Sequence, residues 1–276
     1  MLTKEMGKKL IEILKEDIGK RDVTSALVPE KTCKAVIKIN ENSVIAGIEE
    51  VTLLFKTKSC KAKAFVKDGQ FAKKRKIIME IEGKNRNILE TERTALNILG
   101  RMSGVANICN DAKKIVPKFN GEFALTRKTM PGFNLFDKKA AKIAGINPHR
   151  INLNDMILIK ENHLDFFKTV TDALVKAKEN ANGRKIEIEV KNLKEAFEAA
   201  KLKPDRIMLD NFNLKNAKKT IKELRKIYAG EIEISGGINL KNLKGYARLQ
   251  PDLISLGLLT KKANTVDFSL DIKKIN

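Results

Sequence analysis

The chain has 276 residues, enough to bury the core of one barrel-sized domain and a smaller companion. Its 55 Lys and Arg against 34 Asp and Glu leave a formal charge of +21, which draws anions to the surface. That charge is scattered as lysines over the solvent faces of apparent helices, and with no Trp and two Tyr there are few platforms for stacking bases, so the composition favours an ordinary enzyme and no nucleic-acid partner.

Residues 4–16 have the spacing of an amphipathic helix without the apolar core of a signal peptide. No later run approaches a membrane span, so the sequence predicts a soluble, cytoplasmic protein with no membrane partner. "EDIGKRDVTSALVP" is next, an acidic, turn-rich loop. "KAVIKIN", "SVIAGIEE", "KAKAFVKDGQFA" and "KKIIMEIEG" alternate apolar and polar residues between glycine-containing turns, which predicts an antiparallel sheet. Helical periodicity then runs through "NILETERTALNILGRMSGVANICNDAKKIV" until Pro117 closes it, and the domain boundary is expected inside or just after this helix. Cys33, Cys60 and Cys109 are odd in number and have neither metal nor redox spacing, so packed, reduced thiols and no disulfide are expected.

Beyond the helix the pattern becomes strand, helix, strand, helix. Strand-like runs occur at "EFAL", "MILI", "KIEIEV", "RIMLD", "EIEIS" and "LISLG". Between them lie amphipathic segments, three of which ("NLKEAFEAAKL", "NLKNAKKTIKELRKIY", "NLKNLKGYARL") open with Asn, a good helix cap. Repeated βα units predict a parallel sheet with helices outside, and six strands are too few for a complete eight-stranded barrel.

The residues at the end of each strand carry the functional signal. Arg127 and Lys128 come after "FALT", Lys160 ends "MILIK", Glu189 closes "KIEIE", Asp210 closes "RIMLD", Ser235, Gly236 and Gly237 end "EIEISGG", and Gly257 ends "LISLG". In a parallel barrel these ends share one rim, where such folds build their sites. The "TRKTMPG" stretch thus sets two cations at the mouth of a cleft before Pro131 and Gly132 turn the chain away. Arg127, Lys128, His149, Arg150 and Lys160 form a cationic group suited to a small polyanion, with Arg forks matching carboxylates. Glu189 and Asp210 suit a ribose diol or Mg²⁺. The glycines at 236, 237 and 257 suit phosphates, which backbone amides can approach closely there. The chain's only two histidines, His149 and His163, both fall in the cationic stretch.

In order along the chain, "EDIGKRDVTS", "ETERTALNILGRMSGVA", "TRKTMPG", "HRINLNDMILIKENH", "EIEVKNLKEA", "IMLDN", "SGGI" and "DLISLGLLT" resemble the quinolinate phosphoribosyltransferase family. The resemblance covers nearly the whole chain. It implies an α/β fold with an N-terminal open-faced α/β sandwich (1–105) and a C-terminal incomplete, TIM-like α/β barrel (106–264), the tail 265–276 packing back on the first. It implies transfer of a phosphoribosyl group from phosphoribosyl pyrophosphate to quinolinate with decarboxylation, Mg²⁺ as cofactor, and a homodimer or hexamer with shared active sites. By the same resemblance Thr126, Arg127, Lys128, His149, Arg150 and Lys160 hold quinolinate, joined by Arg93 from the partner subunit. Glu189, Asp210, Ser235, Gly236, Gly237 and Gly257 meet the phosphoribosyl donor, and Lys128, Lys160, Glu189 and Asp210 are the catalytic candidates.

The chain departs from the family at "AGINPHR", where Ile146 and Pro148 replace the usual glycine and Asn, and at Lys261, where His is usual. A paralogous branch from molybdenum-transport operons, acting on a different anionic ring, has a similar Pro-His-Arg stretch. The retained "LIKENH" favours the quinolinate enzyme.

Overall fold

A computed structural model describes residues 2–275. In chain order the elements are α1 (Lys4–Ile18), β1 (Thr32–Ile39), β2 (Ser43–Val44), α2 (Ile48–Thr57), β3 (Lys61–Ala64), β4 (Phe71–Ala72), β5 (Ile77–Lys84) and α3 (Asn85–Ile115). Next come β6 (Glu122–Ala124), α4 (Asn134–Ile143), β7 (Ile157–Ile159), α5 (Glu161–Leu164), α6 (Val170–Glu179), β8 (Ile186–Val190), α7 (Leu193–Lys201) and β9 (Arg206–Asp210). The chain ends with α8 (Leu214–Leu224), β10 (Glu231–Ser235), α9 (Leu243–Ala247), β11 (Leu253–Ser255), α10 (Leu258–Lys261) and β12 (Phe268–Ile275). These elements form two compact units, residues 1–109 with 135–145 and 262–276, and residues 110–134 with 146–261.

The first unit is built on an antiparallel sheet of order β12-β1-β5-β3. Alternate residues of β1, Ala35, Ile37 and Ile39, are fully buried, as a sheet with one packed face requires. α1 buries Met6, Leu10 and Leu14 at helical spacing, and the Thr3 side chain caps it by accepting the Met6 N–H. "SVIAGIEE", read from sequence as a strand, pairs only at Ser43 and Val44. Gly47 then takes φ +109°, and the Asp68 carboxylate accepts the N–H groups of Gly47 and Ile48, which starts α2 instead. "KAKAFVKDGQFA" likewise divides, β3 pairing with β5 and β4 with β2. Along α3, a Cβ at Gly104 would stand 1.9 Å from the Asn264 carbonyl oxygen, so the returning chain rests directly on the helix backbone. All three cysteines are buried, and burial pushes the Cys60 thiol up to about 11.

The domain limits drawn from sequence need one correction. Residues 135–145, placed there in the barrel, belong to the first unit. Arg101 donates to both carboxylate oxygens of the buried Asp137, at 2.9 and 2.8 Å. Lys139 bridges Glu49 and the buried Glu50, at 2.6 and 2.7 Å. The terminal β12 also lies in this unit, pairing with β1 from Cys33↔Ile275 to Ile39↔Phe268.

The second unit is a parallel sheet of order β6-β11-β10-β9-β8-β7, so the first strand lies beside the last and the sheet curls on itself. β6 and β7 do not pair; a single bridge, Ala124↔Asn147, stands on that side. Register places Glu187 opposite Arg206 and Glu189 opposite Met208, then Glu231 opposite Arg206 and Ser235 opposite Asp210. Paired residues share a face, so Glu187, Glu189, Arg206, Asp210, Glu231, Glu233 and Ser235 all point to one side of the sheet. The Asn192 and Asn213 side chains cap α7 and α8, as their sequence positions predict. Asn239 instead shapes the turn before α9 by accepting the Lys241 and Asn242 N–H groups, and that helix begins only at Leu243. Among the described residues no helix is long and apolar enough to cross a membrane.

Candidate active site

The loop after β6 is fixed from both sides. Thr126 Oγ1 accepts the Lys128 N–H at 3.2 Å, and the Lys128 carbonyl accepts from Thr260 Oγ1 at 2.7 Å. A Cβ at Gly257 would come within 3.5 Å of the Lys128 stem and 3.7 Å of Thr126 Oγ1, so the turn after β11 lies in contact with this loop. Arg127 and Lys128 remain exposed. Thr126, Lys128, Gly257 and Thr260 thus form one corner of the site, and the backbone brake of Pro131-Gly132 lies just beyond it.

Toward the β7 edge of the sheet the charge alternates. Lys160, at the end of β7, donates to Glu189 Oε2 at 2.5 Å across to β8. Asp210, at the end of β9, is lifted above the ordinary carboxylate range by burial and then by the Glu189 charge, while Lys160 and Lys128 pull it down. That balance of influences brings Lys128, Lys160, Glu189 and Asp210 into one electrostatic neighbourhood. Asn211 next to it has φ +55° and donates through its backbone N–H to the Ser235 carbonyl at 2.9 Å. A Cβ on Gly236, itself at φ +83°, would collide with the Asn211 side chain at 2.4 Å, so only glycine fits where β10 turns past β9. Gly237 has φ +64° and open space around it.

On the other flank Asn147 is pinned to β6 by two backbone hydrogen bonds, and its side chain accepts the His149 N–H at 2.8 Å. Burial and then the Arg127 charge lower the Arg150 pKa, while Glu187 and Asp155 raise it, so Arg150 feels the Arg127 charge. His149 itself lies deep: its side chain is 6% exposed, with Nε2 at 3.2 Å from both Glu187 and Glu233. His163 plays a local part, its Nδ1 accepting the Lys160 N–H at the start of α5. Lys261 is exposed at the end of α10. Arg93 is an exposed residue of the first unit and lines a cavity of about 310 Å³ there with Asp17, Arg21, Asp22 and Glu90.

The residues that sequence reading passed over are Glu187, Arg206, Glu231, Glu233 and Ser255, an ionic cluster inside the sheet. Their signal was present: in "KIEIEV" and "EIEIS" the acids alternate with isoleucine at period two, so they cannot all face water if the strands are central. Burial and the Glu233 charge raise the Glu187 pKa. Glu233 is lowered despite its burial, because His149 and Ser255 hydrogen-bond to it.

An antiparallel α/β unit joined to a curled parallel sheet, whose strand ends alternate cations with carboxylates, defines a two-unit α/β enzyme class built around small anions. The chain belongs to the quinolinate phosphoribosyl transferase family: residues 22–103 match its N-terminal domain and residues 105–271 its C-terminal domain. It is 39% identical to a probable nicotinate-nucleotide pyrophosphorylase [carboxylating] of Methanocaldococcus jannaschii, over 94% of each chain. It is 31% identical to the human nicotinate-nucleotide pyrophosphorylase [carboxylating], over 94% of this chain and 89% of that one. Among solved structures, the nicotinate-nucleotide pyrophosphorylase from Francisella tularensis superimposes with a TM-score of 0.90 at 31% identity, covering 97% of this chain and 95% of that one.

Proposed function

We propose that the chain joins quinolinate to phosphoribosyl pyrophosphate and decarboxylates the adduct, giving nicotinate mononucleotide, pyrophosphate and CO₂. The observation that carries this reading is the alternation at the strand ends, with Lys160 on Glu189 and Lys128 beside Asp210. A dicarboxylate needs the cations and a sugar pyrophosphate needs the acids and glycines. Family membership supports the same reaction.

Arg127 and Arg150 bind the quinolinate carboxylates as forks, with Thr126 and Lys160 fixing the ring's direction. Glu189 and Asp210 receive the ribose, and the Ser235-Gly236-Gly237 turn and Gly257 offer backbone to its phosphates. Held so, the pyridine nitrogen attacks ribose C1, the C1–O bond to pyrophosphate breaks through an oxocarbenium-like sugar, and the ring nitrogen becomes cationic. The neighbouring carboxylate then leaves as CO₂, its electron pair remaining on the ring carbon beside that fixed charge until a proton replaces it. Lys128 and Lys160 hold the departing negative charges in place.

Glu189 and Asp210 fit Mg²⁺: they are hard oxygen donors on adjacent strands, and Asp210 is raised by burial and then by the Glu189 charge, which a divalent cation would relieve. When bound, the ion neutralises pyrophosphate charge. Arg93 is assigned to the site of a second copy, which makes the working unit at least a dimer.

Thermal denaturation tests the ligand assignment. Quinolinate at about a hundred times its Kd is expected to stabilise the protein by about 2.7 kcal/mol, and nicotinate, with one carboxylate, by much less. Stabilisation by another anionic ring and none by quinolinate would move the substrate to the molybdenum-operon type, for which Pro148 is the sequence cue. Salt-sensitive submicromolar binding to DNA would reverse the exclusion of nucleic acid.

A further inference from the structure

The buried cluster beneath the strand ends is not used by the chemistry above. Arg206 spends Nε and Nη2 on Glu231, at 3.0 and 2.6 Å, and Nη1 on Glu187 and Glu233, at 3.2 and 3.3 Å, and the same Nη1 lies 3.0 Å from His149 Nε2. Ser255 donates to the other oxygen of Glu233. Glu187 and Glu233 are wholly buried, and Glu187 Oε1 has no hydrogen-bond partner. Branched apolar side chains normally fill this layer of a parallel barrel, and burying carboxylates in their place costs stability. The cluster reaches the ligand side through the His149 ring.

From that ring the connection runs through backbone. Nε2 faces the two carboxylates, and Nδ1 accepts the N–H of Arg150 at 2.8 Å. A nitrogen that accepts a hydrogen bond carries no proton, so the neutral ring has its proton on Nε2, facing the two carboxylates. Burial favours that neutral ring, while Glu187 and Glu233 outweigh burial and, by favouring a second proton, push the His149 pKa up to about 9. The only place for that proton is Nδ1, where the Arg150 donor opposes it. His149 also holds φ +54°, sparsely populated by residues other than glycine, and such a backbone persists only where its surroundings over-determine it. Asn147 below and the carboxylates behind provide that constraint.

We propose that Glu233, Glu187 and Arg206 are positioning residues for the carboxylate-binding end of the site: they clamp the His149 ring, and its Nδ1 clamps the Arg150 backbone, so that Arg150 stands beside Arg127 before any anion arrives. The proposal rests on Arg127 and Arg150 being the quinolinate carboxylate ligands. Its physical content is preorganisation: two guanidinium groups repel, and holding them together during folding spares the ligand that cost.

Glu233→Gln keeps the shape and the Ser255 contact but removes the charge behind the ring. The expected result is a quinolinate KM raised roughly tenfold or more, with kcat and the KM for phosphoribosyl pyrophosphate within about twofold. Arg101→Met is the comparison, because it breaks a buried ion pair that touches neither His149 nor Arg206; it is expected to lower the melting temperature and leave the quinolinate KM unchanged. Nitrogen NMR of the imidazoles supplies a readout that needs no turnover, since the chain has only two histidines. Above its raised pKa of about 9 the wild-type His149 ring is expected to show a bare Nδ1 and a protonated Nε2, and Glu233→Gln to lose that single tautomer. A protonated Nδ1 in the wild type above that pKa, or a Glu233→Gln variant with unchanged quinolinate KM, would overturn the proposal. A wild type inert toward quinolinate would remove the functional reading instead, and the imidazole spectrum would still decide the clamp.

Discussion

Lys128→Ala is expected to lower kcat for CO₂ release by roughly 10²–10³, the usual consequence of removing one preorganised charge from a transition state. Lys128 is exposed, and the loop around it is held by its backbone carbonyl through Thr260, a bond the variant keeps. The fold should therefore survive, and a melting temperature equal to the wild type's separates lost chemistry from lost structure. The lysine's place explains the size of the effect. Its charge acts on Asp210, Lys160 is already committed to Glu189, and in the proposed reaction Lys128 faces the departing pyrophosphate. A Lys128→Ala protein with full turnover would refute the site assignment.

The largest effect on stability is expected from Arg101→Met. Asp137 is wholly buried, and each of its oxygens takes one N–H from Arg101. Removing the guanidinium leaves an uncompensated carboxylate in the core of the first unit, at a cost of about 3–5 kcal/mol. For a chain of this size that corresponds to a fall of roughly 10 °C in melting temperature. The double variant Arg101→Met/Asp137→Leu is expected to recover most of the loss, because a well-packed apolar pair is often as stable as the ion pair it replaces. Calorimetry of the three proteins measures this, and a single variant within about 1 kcal/mol of wild type would show that the pair is solvated.

The contrast between these two sites shows what could be read from the sequence. Lys160, Glu189 and Asp210 were legible because each stands at the end of a strand-like run, and a parallel sheet brings such ends together without further information. The place of α4 in the first unit was not legible. Its anchors, Asp137 and Lys139, meet Arg101, Glu49 and Glu50, and no periodicity encodes partners so distant in the chain. The start of α2 was hidden for a related reason: "SVIAGIEE" alternates like a strand, and what overrides it is the positive φ of Gly47 and a cap supplied by Asp68 from another loop. His149 shows the limit most sharply. Its neighbours in sequence mark it as a cation among cations, whereas its ring is turned inward to Glu187 and Glu233, residues that strand periodicity alone would have left as unexplained acids.

The most direct test of the proposed reaction is the product balance with carboxyl-labelled quinolinate. Given phosphoribosyl pyrophosphate and Mg²⁺, the protein should release one CO₂ and one pyrophosphate for each quinolinate consumed, and none when either substrate is left out. Pyrophosphate formed without CO₂, or no release of either from quinolinate, would contradict it.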